Sequence, residues 1–310
     1  MKKQHLYLFL ALTVALALAL SFGSCRKETP DDDGTPPFED TTEVGTPDGY
    51  TLVWEDRFDG AALNLADWNI EVNGEGGGNN ELQYYRAENV SIGRDPSGAK
   101  SCLILTARKE SYGGKPATSG RVNTQGKRAF TFGRIDASIW LPKTANGLWP
   151  AFWTMGNDYR EVGWPRCGEL DILEMGHSSG FNGRQDRLLN GACHWGPGWP
   201  NASYARDYVS PVGIQDGFHL FTLLWDDRRV ATYLDYDKNP DAQPYFEMDI
   251  ASKDDDWSPG NYFQKDFFIL FNLAVGGNFP GIRDINGITA LAAGDAHMYI
   301  DYVAVYRKNE

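Results

Sequence analysis

Glu169, Asp171 and Glu174 place three carboxylates at i, i+2 and i+5 in the run WPRCGELDILEMG, among otherwise apolar residues. At about 100° per residue, a helix would scatter these acids and Leu170, Ile172, Leu173 and Met175 around its whole circumference, so no amphipathic face forms. A strand puts Glu169 and Asp171 on one face, and one extra residue in a β-bulge near Ile172 and Leu173 returns Glu174 to the same face. Three like charges in a row repel, and they persist only where water or a ligand solvates them or where some keep their protons. Glycoside hydrolysis uses that condition, with one carboxylate as nucleophile and one acid of raised pKa protonating the leaving oxygen. A retaining mechanism brings the two carboxyls to roughly 5 to 5.5 Å. The outer Cα atoms stand about 13 Å apart at ~3.3 Å per step, a gap that two long Glu side chains leaning over a shorter Asp can close. The other reading of the hexapeptide is a solvated acidic strand in a chain of formal net charge -13.

The elements that must hold this row read as strands. Gly and Pro recur between short runs of Val, Ile, Leu, Phe, Trp and Tyr: Cys102 to Ala107, Phe132 to Leu141, His219 to Trp225, Val230 to Tyr236, Phe267 to Leu273 and Met298 to Tyr306. Many alternate, as RIDASIW and HLFTLLW do, which is the period of half-buried antiparallel strands. No long amphipathic helix and no repeat of 20 to 50 residues stands out. The pattern predicts an all-β sandwich or jelly roll.

The N-terminus reads differently. Lys2 and Lys3 precede an apolar stretch from Leu6 to Phe22, then Gly23, Ser24 and Cys25, the order of a bacterial lipoprotein signal with Cys25 as the lipidated residue. A permanent membrane helix is the alternative, since the apolar run approaches the ~20 residues a span needs. RKETPDDD after Cys25 resembles the acidic signal that sends Bacteroidetes lipoproteins to the cell surface. The expected layout is a signal peptide over 1–24, an acidic Pro-, Asp- and Thr-rich tether over 25–48 and one domain over 49–310. The placement is an exported lipoprotein on the outer membrane or surface of a Gram-negative cell. Acidity argues against nucleic acid or an anionic bilayer as partner and suits a neutral substrate. A monomer is expected. Cys102, Cys167 and Cys193 remain; a bridge between the last two and buried thiols are both open, and no Cys or His spacing forms a zinc site.

Six of the ten Trp residues, Trp140, Trp149, Trp153, Trp164, Trp195 and Trp199, lie within about thirty residues of the acid row. Trp140 and Trp153 can be packing residues, yet rings beside carboxylates also suit the C–H faces of sugars. Asn79, Asn80 and Glu81 in GEGGGNNE, and Arg134, can supply polar contacts to hydroxyls.

GNNELQYYRAENV, TSGRVNTQGKRAFTFGRIDASIWLP, GLWPAFWTMG, WPRCGELDILEMG, FNLAVGGNFPG and MYIDYVAVY together resemble successive strands of glycoside hydrolase family 16, in its laminarinase-like branch, from about Trp54 to Tyr306. The resemblance implies a β-jelly roll of two curved antiparallel sheets with a concave cleft. It implies retaining hydrolysis of internal β-1,3 or mixed β-1,3/1,4 glucan linkages, with no cofactor for catalysis. Glu169 is then the nucleophile, Glu174 the general acid/base, and Asp171 tunes both. Asn79 or Asn80, Arg134, Trp149, Trp153 and Trp164 match positions on the sugar-donor side, and His194 one on the leaving-group side. Asp301 matches a position that holds a structural calcium ion in many relatives. Departures include Leu170, Leu173, the excursion HSSGFNGRQDRLLN, Phe279 and Ala304, which leave subsite preference open. Agar-, porphyran- or carrageenan-type galactans on the same fold, or a non-catalytic glucan-binding lipoprotein, are the alternatives.

Overall fold

Strands dominate because the chain alternates, and their register decides which side chains meet. The computed structural model describes residues 45–200 and 202–310; Cys25, the signal and most of the tether lie outside the described residues. Two antiparallel sheets form a jelly roll. The outer sheet runs Phe246–Asp249, Arg229–Leu234, His219–Trp225, Gly133–Trp140, Ala296–Lys308, Ser101–Ala107 and Val90–Arg94, with Tyr50–Asp56 also paired to Ala296–Lys308. The inner sheet runs Ser203–Val209, Leu188–His194, Glu169–Met175, Leu148–Gly156, Phe267–Val275, Arg121–Asn123 and Asn69–Ile70. The strand runs expected from sequence are all present, with ends shifted by at most two residues.

The core fills the space between the sheets. Leu103, Leu105, Ile135, Ala137, Ile139, Phe221 and Leu223 face it from the outer sheet, and Phe152, Leu170, Ile172, Leu173, Ile269, Phe271 and Leu273 from the inner. Phe152 and Phe271 are direct cross-strand partners and stack at 4.8 Å. Burying each such ring contributes roughly 1.5–3 kcal/mol. Phe267–Val275 is buried along its whole length, as a central strand covered on both faces must be. Its one polar residue, Asn272, is therefore a marker of the sheet's other face, where the acids lie.

Arg134 does not reach that face. Its neighbours Ile135, Ala137 and Ile139 point into the core, so Arg134, Asp136 and Ser138 point away from the inner sheet altogether. Arg134 Nε donates to both Asp136 oxygens at 2.9 and 2.8 Å, and its guanidinium lies over Tyr236 at 5.3 Å. It is a buried structural ion pair, not a cleft residue. Cys167 and Cys193 are buried free thiols, and Cys102 is buried.

Candidate active site

The acid row forms through a bulge. Asp171 pairs with Ala192 and Trp153, whereas Glu174 pairs with Asn190 and Ala151, so three residues advance on the acid strand while two advance on each neighbour. Ile172 is the extra residue, and the Tyr245 hydroxyl donates to the carbonyl it displaces. Glu169, Asp171 and Glu174 thereby share the face opposite the core, while Leu170, Ile172, Leu173 and Met175 are buried in it. Gly176 ends the strand at φ 98°, where a Cβ would stand 1.9 Å from the Leu148 carbonyl oxygen, so only glycine permits this approach.

Cross-strand partners then build the floor around the row. Trp153, Leu270 and Asn123 lie in line with Asp171, and Ala151, Asn272 and Arg121 in line with Glu174. On the other flank, His194, Ala192 and Asn190 face the three acids in turn, with Asp207 beyond Asn190. Ala151 keeps the space beside Glu174 open. Trp153 Nε1 donates to Asn272 Oδ1 at 2.7 Å, and the Arg121 guanidinium lies 4.9 Å from the Trp153 ring.

Aromatic walls close the two ends of the row. Trp149 Nε1 donates to Glu174 Oε1 at 2.9 Å, and its ring stacks on Phe279 at 4.6 Å. His177 packs edge-on against Phe279, and Ser179 links His177 to Asp207, so the excursion after the motif builds this wall. At the Glu169 end, Trp164, His194 and Trp199 form a triangle with ring centroids 5.2 to 6.1 Å apart. Trp164 and His194 therefore stand together at this end. Asn79 and Asn80 sit on the rim: the Asn79 carbonyl accepts from Asn278 N, and Asn80 Nδ2 donates to Asn278 Oδ1, which fastens the loop carrying Phe279. Trp140 packs on Phe218 in the outer sheet, and Trp195 donates to the Trp257 carbonyl, both away from the acids. Glu81 is buried as the acceptor of Gln83 and Tyr85.

Burial raises all three acids, and their neighbours separate them. Burial pushes Glu169 up to about 7, with the Arg121 cation and a hydrogen bond from Trp164 opposing the rise. Glu174 is pushed up to about 8 by burial; the Trp149 hydrogen bond opposes this, while the charges of Glu169 and Asp207 add to it. Asp171 rises well above the ordinary carboxylate range through burial and the charges of Glu169 and Glu174. Among the described residues Arg121 acts on Glu169 and no cation acts on Asp171 or Glu174, which favours ionisation of Glu169 over the other two. Burial lowers His194 to about 4, so its imidazole is neutral near neutrality, with Nε2 3.5 Å from Asp171 Oδ2.

Glu169, Asp171 and His194 bring three possible metal donors within 4.8 Å of one another, the one such group among the described residues. An ion there would occupy the Glu169 carboxylate. At Asp301 the buried carboxylate accepts from Lys100 Nζ at 2.5 Å and Ser138 Oγ at 3.1 Å. An ammonium and a hydroxyl are not the six to eight oxygen ligands calcium takes, so the donors at Asp301 do not fit that ion. A concavity of about 860 Å³ lies elsewhere, bordered by Tyr50, Phe132, Trp225, Tyr233 and Tyr306. Its acids serve loops, Asp226 accepting from the Arg228 and Arg229 amides and Asp266 from Thr131. An open cleft for a long polymer encloses little volume, so chemistry identifies the site.

Arg121, Asn272, Asp207 and Phe279 were not singled out from sequence as site residues. Arg121 had a signal: SGRV and FGRI are two Gly-Arg-aliphatic turns in one block, and only the first lies on the inner sheet.

Residues 80–244 match the family described as Glycosyl hydrolases family 16. The chain is 34% identical over 261 residues to the clotting factor G alpha subunit of Tachypleus tridentatus, covering 83% of this chain and 34% of that one. It is 30% identical over 296 residues to glucan endo-1,3-beta-glucosidase A1 of Niallia circulans, covering 87% and 40%. The chain thus spans less than half the length of either curated relative. Among solved structures, the GH16 protein of the Bacteroides ovatus mixed linkage glucan PUL, in complex with the product G4G4G3G, superposes with a TM-score of 0.69 at 41% identity, covering 81% of this chain and 98% of that one. With its jelly roll, its bulged acid strand and this match, the chain belongs to glycosyl hydrolases family 16.

Proposed function

We propose that this chain is a retaining endo-β-glucanase that cleaves internal linkages of β-1,3 or mixed β-1,3/1,4 glucans. The observation that carries it is the bulge at Ile172, which sets Glu169 and Glu174 on one face with different neighbours. Glu169, as carboxylate, attacks the anomeric carbon while Glu174 gives its proton to the departing glycosidic oxygen, leaving a glycosyl ester on Glu169. Glu174, now ionised, takes a proton from water as its oxygen attacks the same carbon, and the ester bond breaks to restore Glu169. Asp171 keeps its proton between them and lowers the repulsion in the row. The relatives' names support the glucan reading, and the identity to the mixed-linkage-glucan protein supports acceptance of mixed linkages.

Glu169→Ala should lose at least a hundredfold in rate, the size of effect expected when covalent catalysis is removed. Azide should then yield a glycosyl azide of inverted configuration. Laminarin, barley mixed-linkage glucan, lichenan, xyloglucan and agarose digested in parallel should show cleavage of laminarin or mixed-linkage glucan. Cleavage of agarose alone would overturn the glucan reading, and binding without cleavage would favour a lectin.

The chain further acts as a monomer tethered by lipid at Cys25 to the cell surface, a reading supported by the order Lys2, Lys3, Leu6 to Phe22, Cys25. Cys25→Ala should release soluble protein, and mature protein that retains the segment 6–22 would disprove lipidation.

A further inference from the structure

Arg121 has five N–H donors, and one of them is used inside the protein. Its Nε donates to Glu71 Oε1 at 2.9 Å, and no hydrogen bond from its Nη groups to a described residue is present. Those groups lie on the inner-sheet face, with the guanidinium over Trp153 at 4.9 Å and near Tyr85 at 5.9 Å. Glu71 is itself fixed: Oε1 also accepts from Asn123 Nδ2 at 2.8 Å, Oε2 from Asn73 Nδ2 at 3.4 Å, and its amide donates to the Arg121 carbonyl at 3.0 Å. The two residues thus grip each other through backbone and side chain. A carboxylate bound only at Nε sets the plane of the guanidinium and leaves its outer edge bare, a geometry that suits paired hydroxyl oxygens.

We propose that Glu71 is a positioning residue for the cleft: it holds Arg121 so that the free Nη edge, lying over Trp153, grips the hydroxyls of a sugar unit on the flank of strands Leu148–Gly156 and Phe267–Val275, while the fixed cation acts on Glu169. This rests on the glucanase reading. Glu71 never touches substrate; it acts through Arg121. The other titratable groups that act on Arg121 are Tyr85 and Glu81, both buried and hydrogen-bonded to each other. Glu169 itself faces Arg121, Asp171, Glu174, His194 and Trp164, and the buried thiols of Cys167 and Cys193, which burial pushes up and keeps neutral. The acid limb of the pH profile should therefore report the Arg121 charge directly.

Glu71→Ala and Glu71→Gln in the full chain separate positioning from mere support. Glu71→Ala frees the guanidinium, and KM on a glucan oligosaccharide should rise about tenfold or more, the worth of a charged hydrogen bond, with kcat changed by less. Glu71→Gln retains an oxygen for Nε and should keep KM within about threefold of wild type. It removes the charge that opposes Arg121, so the acid limb of kcat/KM should move to lower pH. Thermal unfolding of each variant gives the folded fraction for correction. Unchanged KM in Glu71→Ala together with an unmoved acid limb in Glu71→Gln would overturn the proposal, as would equal corrected losses in both variants. A wild type that cleaves no glucan overturns the functional reading instead, so the two failures are distinct.

Discussion

Glu169 and Glu174 have the same side chain, and their surroundings act differently on their protons. Arg121 and Trp164 favour the ionised form of Glu169, whereas Glu169 and Asp207 oppose ionisation of Glu174. The proposed mechanism needs Glu169 without its proton and Glu174 with one, so the rate should rise through about pH 7 and fall above about pH 8. Glu174→Gln should lower turnover of natural glucan by about 10² to 10⁴, yet spare the first step on substrates with good leaving groups. Equal losses on both would remove the acid role. The same substitution has a stability consequence of defined sign. The folded pKa of Glu174 is raised above its ordinary 4.5, so its cost to the fold is absent below that pH and grows as pH climbs to about 8. Glu174→Gln should therefore raise Tm in alkaline buffer, by about 2–4 °C for each kcal/mol regained, and have little effect in acid. A stabilisation that is the same at both pH values would disprove burial of the charged form as its source.

At the scale of the element, the bulged strand was legible because its pattern admits one solution: acids on one face, Leu170, Leu173 and Met175 in the core, one residue left over. The alternating runs likewise located the other main strands, since period-two burial is written in the chain itself. What register decides was not legible. Arg134 and Arg121 follow Gly in similar turns, but one lies on the outer sheet and the other opposite Asn272 on the inner. No local feature marks that difference, because it is set by pairing with strands more than a hundred residues away. The same reason hid Asn272 and Asp207, single polar residues whose meaning comes from the row they join. Trp164 and His194 are close in space because strand Leu188–His194 returns antiparallel beside the acid strand, which brings its last residue level with Glu169. The excursion from His177 to Asn190 read as an unexplained departure, and it proves to be the wall behind Trp149, held through Ser179 and Asp207.

At the scale of the whole molecule, the strand Ala296–Lys308 joins the outer sheet together, since it pairs with Gly133–Trp140, Ser101–Ala107 and Tyr50–Asp56. It carries its own bulge between Ile300 and Tyr302, and Asp301 is the residue so displaced. A buried carboxylate at this junction must be neutralised, and Lys100, 201 residues earlier, bridges to it from the start of the neighbouring strand. Ser138 on the third strand adds a hydrogen bond. The charge is thus balanced by the chain's own cation. The wild-type protein should show the same Tm with calcium and with chelator. Lys100→Met, which leaves Asp301 buried without its partner, should lose about 1–3 kcal/mol, less than a fully buried pair because the lysine is partly exposed, and thereby lower Tm by roughly 3–10 °C. A wild-type Tm that falls with chelator and recovers with calcium would show that oxygen ligands, not Lys100, hold this junction, and the internal ion pair would then be a secondary feature of the strand.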